Sequence, residues 1–130
     1  TLPKLEWLDL NGDEVSDLGV QQLGKLHRLK DLHLYGEDIT DAGMPYLADI
    51  GRLEVLHLTA TRVTDAGIEP ISRLTQLEQL SLIGSQITDD GLMHLERLTN
   101  LAQLFLLDTR VSPAAIESLR RALPNCEIVA

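Results

Sequence analysis

The sequence predicts a right-handed α/β solenoid, a horseshoe segment with a curved parallel β-sheet on its concave face and short helices on its convex face. Three observations carry the prediction. Leucines recur every 24 residues in the pattern L-x-x-L-x-L, starting at Leu5, Leu29, Leu53, Leu77 and Leu101. A β-branched residue and a Ser/Thr-Asp pair (Ser112-Pro113 in the fifth repeat) follow at fixed offsets, and after each pair an apolar stripe repeats at spacings of three. A unit of this size cannot bury its apolar face alone, so the units must stack on one another around a continuous core.

Each element follows from local chemistry. The leucine pattern alternates as a strand does, so Leu8 and Leu10, Leu32 and Leu34, Leu56 and Leu58, Leu80 and Leu82, and Leu104 and Leu106 point inward together. A small or polar residue comes next (Gly12, Gly36, Ala60, Gly84, Asp108), then Val15, Ile39, Val63, Ile87 or Val111. Ser16-Asp17, Thr40-Asp41, Thr64-Asp65, Thr88-Asp89 and Ser112-Pro113 read as helix starts. The hydroxyl is expected to accept from first-turn N–H groups, the Asp to complement the helix dipole, and Pro113 to occupy a position with no N–H to lose. The stripes Val20-Leu23-Leu26, Met44-Leu47-Ile50, Ile68-Ile71-Leu74, Leu92-Leu95-Leu98 and Ile116-Leu119 make short, one-sided helices. Pro45 and Pro70 lie further in than a first turn allows, so the second and third helices are expected to start late or kink.

The repeated core Ile39 to Met44, Val63 to Ile68 and Ile87 to Leu92, of the form I-T-D-x-G-[LIM], together with L-x-x-L-x-L, resembles the ribonuclease-inhibitor-like branch of leucine-rich repeat proteins. Such repeats are common in bacterial proteins and are similar to those of F-box substrate receptors. The resemblance spans almost the whole chain and implies the solenoid fold and protein binding, without naming a partner. One departure is that Gly, Ala or Asp replaces the asparagine many such repeats carry after L-x-L, so a full asparagine ladder is not expected. The ending Leu123-Pro124-Asn125-Cys126-Glu127-Ile128 leaves the period and reads as a closing strand around 126–130, with Cys126 and Ile128 facing the core.

The chain reads as one domain, 1–130, of five repeats and this closing strand. Leu2 fills the slot that ends a repeat's helix without the helix itself, so the chain is expected to be the C-terminal part of a longer array. The open edge near Trp7 is then a place for self-association or fraying. No run approaches the roughly 18 apolar residues of a membrane span, and no signal segment opens the chain, although a truncated start leaves the full-length protein's signal undecided. A single cysteine permits no internal disulfide and reads as a small buried hydrophobe. The expected compartment is cytoplasmic. A net charge of -9 disfavours nucleic acid and anionic lipid surfaces.

Outward strand positions form three columns. The first is Trp7, Asp31, Val55, Gln79, Gln103; the second Asp9, His33, His57, Ser81, Phe105; the third Asn11, Tyr35, Thr59, Ile83, Leu107. Three of the four Phe, Trp and Tyr residues and two of the four histidines lie there, and none of the eleven Lys and Arg residues does. Aromatic side chains suit strands for packing reasons alone, yet they are also enriched at binding hot spots. An N-terminal subsite of Trp7, Asp9, Asn11, Asp31, His33 and Tyr35, with loop acids Asp13, Glu14, Glu37 and Asp38, calls for a basic complement. A C-terminal subsite of Ile83, Phe105 and Leu107 is apolar.

Asp9, His33 and His57 resemble in type a metal ligand set, but an open sheet offers no walls and no evident second shell, so no metal and no cofactor is expected. The acids Asp17, Asp41, Asp65 and Asp89 invite a calcium reading that their place at helix starts already explains. No P-loop, G-x-S-x-G or Cys-His nucleophile arrangement occurs. The sequence therefore points to a non-catalytic module that binds a protein or peptide, with basic and apolar surface, through Trp7, Asp9, Asn11, Asp31, His33, Tyr35, His57, Thr59, Ile83, Phe105 and Leu107. The alternative is a structural spacer of a larger protein with no dedicated concave ligand.

Overall fold

The computed structural model describes residues 4–11 and 14–130. Within them six strands form one parallel sheet in sequence order: β1 (Trp7–Asp9), β2 (Asp31–Tyr35), β3 (Val55–Thr59), β4 (Gln79–Ser81), β5 (Gln103–Phe105) and β6 (Glu127–Val129). The helices between them are α1 (Asp17–Leu23), α2 (Met44–Ala48), α3 (Asp65–Ile71), α4 (Asp89–Leu92) and α5 (Pro113–Ala122). One strand and one short helix per turn, stacked on the preceding turn, is the expected solenoid.

The inward leucines pair in register from strand to strand: Leu8, Leu32, Leu56, Leu80, Leu104 and finally Ile128. Leu32, Leu56, Leu80 and Leu104 have no exposed surface. Met44, Leu47, Ile68, Ile71, Leu92 and Leu95 close the same core from the helical side. The expected stripes thus face inward. Cys126 and Ile128 are buried at the end of the array, and burial, followed by the neighbouring Glu127 charge, pushes the Cys126 thiol above its ordinary range.

The helix starts differ in detail from the local reading. In the second repeat a 3₁₀ turn at Asp41–Gly43 precedes α2, which therefore starts late, with Pro45 in its first turn. In the third repeat α3 begins at Asp65 and Pro70 sits near its C-terminal end, so that helix is not delayed. The hydroxyls of Thr40, Thr64 and Ser112 do accept from first-turn N–H groups, but at 3.3, 3.4 and 3.2 Å, while Ser16 and Thr88 make no such bond.

The shorter bonds run between repeats. Asp17 accepts from the Thr40 N–H at 2.8 Å and the Thr40 hydroxyl at 2.5 Å. Asp41 accepts likewise from Thr64 at 2.7 and 2.5 Å, and Asp65 from Thr88 at 2.7 and 2.5 Å. Asp89 accepts from the Ser112 N–H and hydroxyl, both at 2.7 Å. Each carboxylate is a clasp that holds the next turn of the solenoid, a role the dipole explanation missed. The Ser112 N–H, then its hydroxyl, holds the Asp89 carboxyl below its ordinary range. Its contribution to stability is therefore present above the ordinary value of 3.8 and is lost as pH falls below it.

The small residue after β2, β3, β4 and β5 has a backbone reason. Gly36 and Gly84 have positive φ, and so do Ala60 (φ 56°) and Asp108 (φ 59°), because the chain reverses there into the left-handed region. Alanine in that conformation carries a steric cost that glycine does not. Ala60→Gly is expected to raise stability by about 0.5–1 kcal/mol, after allowing for glycine's freer unfolded chain. A urea midpoint that stays put or falls would contradict it.

Candidate functional site

Strand pairing builds the concave columns. Trp7, Asp31, Val55, Gln79 and Gln103 align, as do Asp9, His33, His57, Ser81 and Phe105, with Glu127 and Val129 extending the two rows. The third row is strand only at Tyr35 and Thr59. Asn11, Ile83 and Leu107 lie past the ends of their three-residue strands. The Ala60 N–H still donates to the Ile83 carbonyl at 2.8 Å and the Gly84 N–H to the Leu107 carbonyl at 3.0 Å, which ties these turns to their neighbours.

Trp7 is 57% exposed and Tyr35 46%. Asp9 and Asn11 are exposed, and Asp31, His33, His57 and Thr59 are half-buried. The loop acids Glu14, Glu37 and Asp38 are exposed, and Glu37 lies 3.6 Å from Arg62. Asp13 lies outside the described residues. At the other end Ile83 and Phe105 are half-buried and Leu107 is 43% exposed. Between the two groups Ser81, small and flanked in register by His57 and Phe105, is buried.

The centre of the acidic end is a pair of stacked imidazoles. The His33 and His57 rings lie 4.1 Å apart between centroids and 13° from parallel, because β2 and β3 present the same register position. His33 Nε2 is 2.7 Å from Asp31 Oδ1, with geometry that does not satisfy a directed hydrogen bond, and both atoms are closed off from solvent. The contact is ionic when the ring carries a proton. His33 Nδ1 looks towards Asp9 at 3.8 Å. On the other side the Gln79 side-chain amide meets His57 Nε2 at 2.9 Å. Burial, then the His33 neighbour, lowers the His57 pKa from its ordinary 6.5, against opposing pulls from Asp31 and Asp9.

His33 thus faces two carboxylates, and His57 Nε2 faces an amide. Asp9 also accepts from the Asn11 N–H at 2.8 Å. Among the described residues no group of three or more His, Cys, Asp or Glu side chains has a metal-binding arrangement. The oxygens of Asp41, Asp65 and Asp89 are engaged in the clasps. One feature escaped the sequence reading: a shallow convex groove between α4 and α5, with Leu92, Met93 and Leu119 along it and Asp90 and Glu96 at its rim. Its signal, an exposed Met93 on a helix face, is indistinguishable in sequence from an ordinary surface methionine.

No protein-family profile matches the sequence, and no curated protein sequence matches it. Solved structures do. Internalin C2 of Listeria monocytogenes is similar over 97% of this chain and 51% of its own, with 32% identity and a TM-score of 0.81. A second Listeria monocytogenes internalin matches 98% of this chain and 35% of its own, at 23% identity and a TM-score of 0.83. A leucine-rich repeat protein of Leptospira interrogans matches 99% and 38%, at 26% identity and a TM-score of 0.67. The chain thus spans about half the length of the first of these structures and about a third of the others. With its repeats stacked strand on strand and helix on helix, the chain has the leucine-rich repeat solenoid fold.

Proposed function

We propose that this solenoid is a non-catalytic protein-recognition module that holds a protein or peptide on its concave sheet. The observation that carries the reading is the exposure of Trp7 and Tyr35 on a face whose columns hold no Lys or Arg. Large rigid aromatics are favoured as binding anchors. Trp7, Asp9, Asn11, Asp31, His33 and Tyr35 would meet a basic segment, while His57 and Thr59 lead on to Ile83, Phe105 and Leu107, which would meet apolar side chains. The similar structures are leucine-rich repeat proteins, which supports an interaction role in general. The Ile-Thr-Asp-x-Gly cores support placing the repeats with the ribonuclease-inhibitor-like branch.

The test compares affinity capture by the native chain and by a Trp7→Ala, Phe105→Ala double variant. Loss of two anchors worth about 2 kcal/mol or more each corresponds to a weakening of about a thousandfold, and thermal unfolding is followed in parallel because Phe105 is half-buried. Equal retention of every captured protein by the two forms would move the reading to a structural spacer.

A further inference from the structure

The His33–His57 stack is an arrangement with room for one positive charge and not for two. Asp9 from β1 and Asp31 from β2 both face His33, so a proton on that ring lies between two carboxylates. The charged groups acting on His57 are His33, Asp31 and Asp9, and β4 contributes the uncharged Gln79. The Gln79 amide nitrogen can donate but not accept, so its 2.9 Å contact requires a lone pair on His57 Nε2. The contact therefore holds His57 neutral. A second proton would place two like charges face to face and turn the amide contact from attraction to donor against donor.

We propose that the stacked pair is a protonation switch in the concave face: a proton taken up on His57 separates the rings, turns Gln79 and draws Asp9 and Asp31 inward. Drawn inward, the two carboxylates are less available to a cation from outside, so acidification weakens the hold on a basic segment. That last step rests on the concave-face reading above, whereas the ring chemistry does not. The lowered His57 pKa agrees in direction. Because folding disfavours the His57 proton, its contribution to stability is complete above the ordinary value of 6.5 and is lost as pH falls from there towards the folded-state value.

Ring-resolved NMR of the chain across pH tests the switch without a partner. His57 should titrate below 6.5. The backbone amides of residues 31–35 and 55–59 should shift with the His57 step, and His33→Gln should raise the His57 midpoint. A His57 midpoint unmoved by His33→Gln, or strand amides indifferent to the His57 step, overturns the switch.

A peptide of alternating arginine and glycine then serves as the calorimetric probe. It should bind about tenfold or more weakly at pH 5 than at pH 7.5, and a His33→Gln, His57→Gln variant should lose most of that difference. Equal affinity at the two pH values overturns the regulatory step. No binding at pH 7.5 overturns the basic-segment reading instead, and leaves the ring titration to decide the switch.

Discussion

Gly91→Ala is expected to lower the unfolding free energy by about 2–4 kcal/mol, a large loss for one methyl group. A Cβ at Gly91 would press on the Asp65 carboxylate, with Asp65 Cγ at 2.9 Å and its Cα at 3.1 Å. That carboxylate cannot step aside freely, because it holds the Thr88 N–H at 2.7 Å and the Thr88 hydroxyl at 2.5 Å. Either the clasp opens, losing bonds to a charged acceptor worth about 1.5–3 kcal/mol each, or the repeats spread apart as an overpacked core does. Urea midpoints at constant m-value measure the loss. Gly51→Ala is the control: a Cβ there meets no described atom within 4 Å, and the midpoint should move by no more than about 0.5 kcal/mol equivalent. A double-mutant cycle with Asp65→Ala should return about 1–3 kcal/mol of coupling, since removing the carboxylate makes room for the methyl. Additive effects would mean that the clasp is not what excludes a side chain at Gly91.

Leu56→Ala should cost about 3–5 kcal/mol. Leu56 has no exposed surface and sits in register between Leu32 and Leu80, so truncation leaves a void against two neighbouring repeats rather than one. In a solenoid, stability is roughly a sum of unit and neighbour-interface terms, and a central repeat contributes two interfaces. The same substitution at Leu8, which is half-buried in β1 and paired with one described strand, should cost less. Equal losses at the two positions, read from chemical denaturation, would contradict the nearest-neighbour account.

The concave columns were legible in the sequence because a strand alternates and the period does not slip. Once Leu32 and Leu56 are inward, His33 and His57 must be outward and adjacent, and so must Trp7 and Asp31. The third column was read as strand throughout, yet Asn11, Ile83 and Leu107 belong to turns. The length of each strand depends on where the backbone turns into the left-handed region, as at Gly84 and Asp108, and not on the leucine pattern.

By itself, then, the sequence determined the solenoid, its inward leucines and the residue types on its concave face, since these follow from a periodicity that any stacked unit must satisfy. Tertiary structure decided what the repeated acids do. Asp65 at a helix start has a complete local explanation in the dipole, and nothing in the chain marks a partner 23 residues away until the next turn is laid against it. It also decided how the two histidines meet. Adjacency came from the period, but the 4.1 Å stack, the 2.7 Å approach of Asp31 and the amide of Gln79 depend on side-chain rotamers. Those rotamers are chosen when strands from three repeats crowd the same small surface.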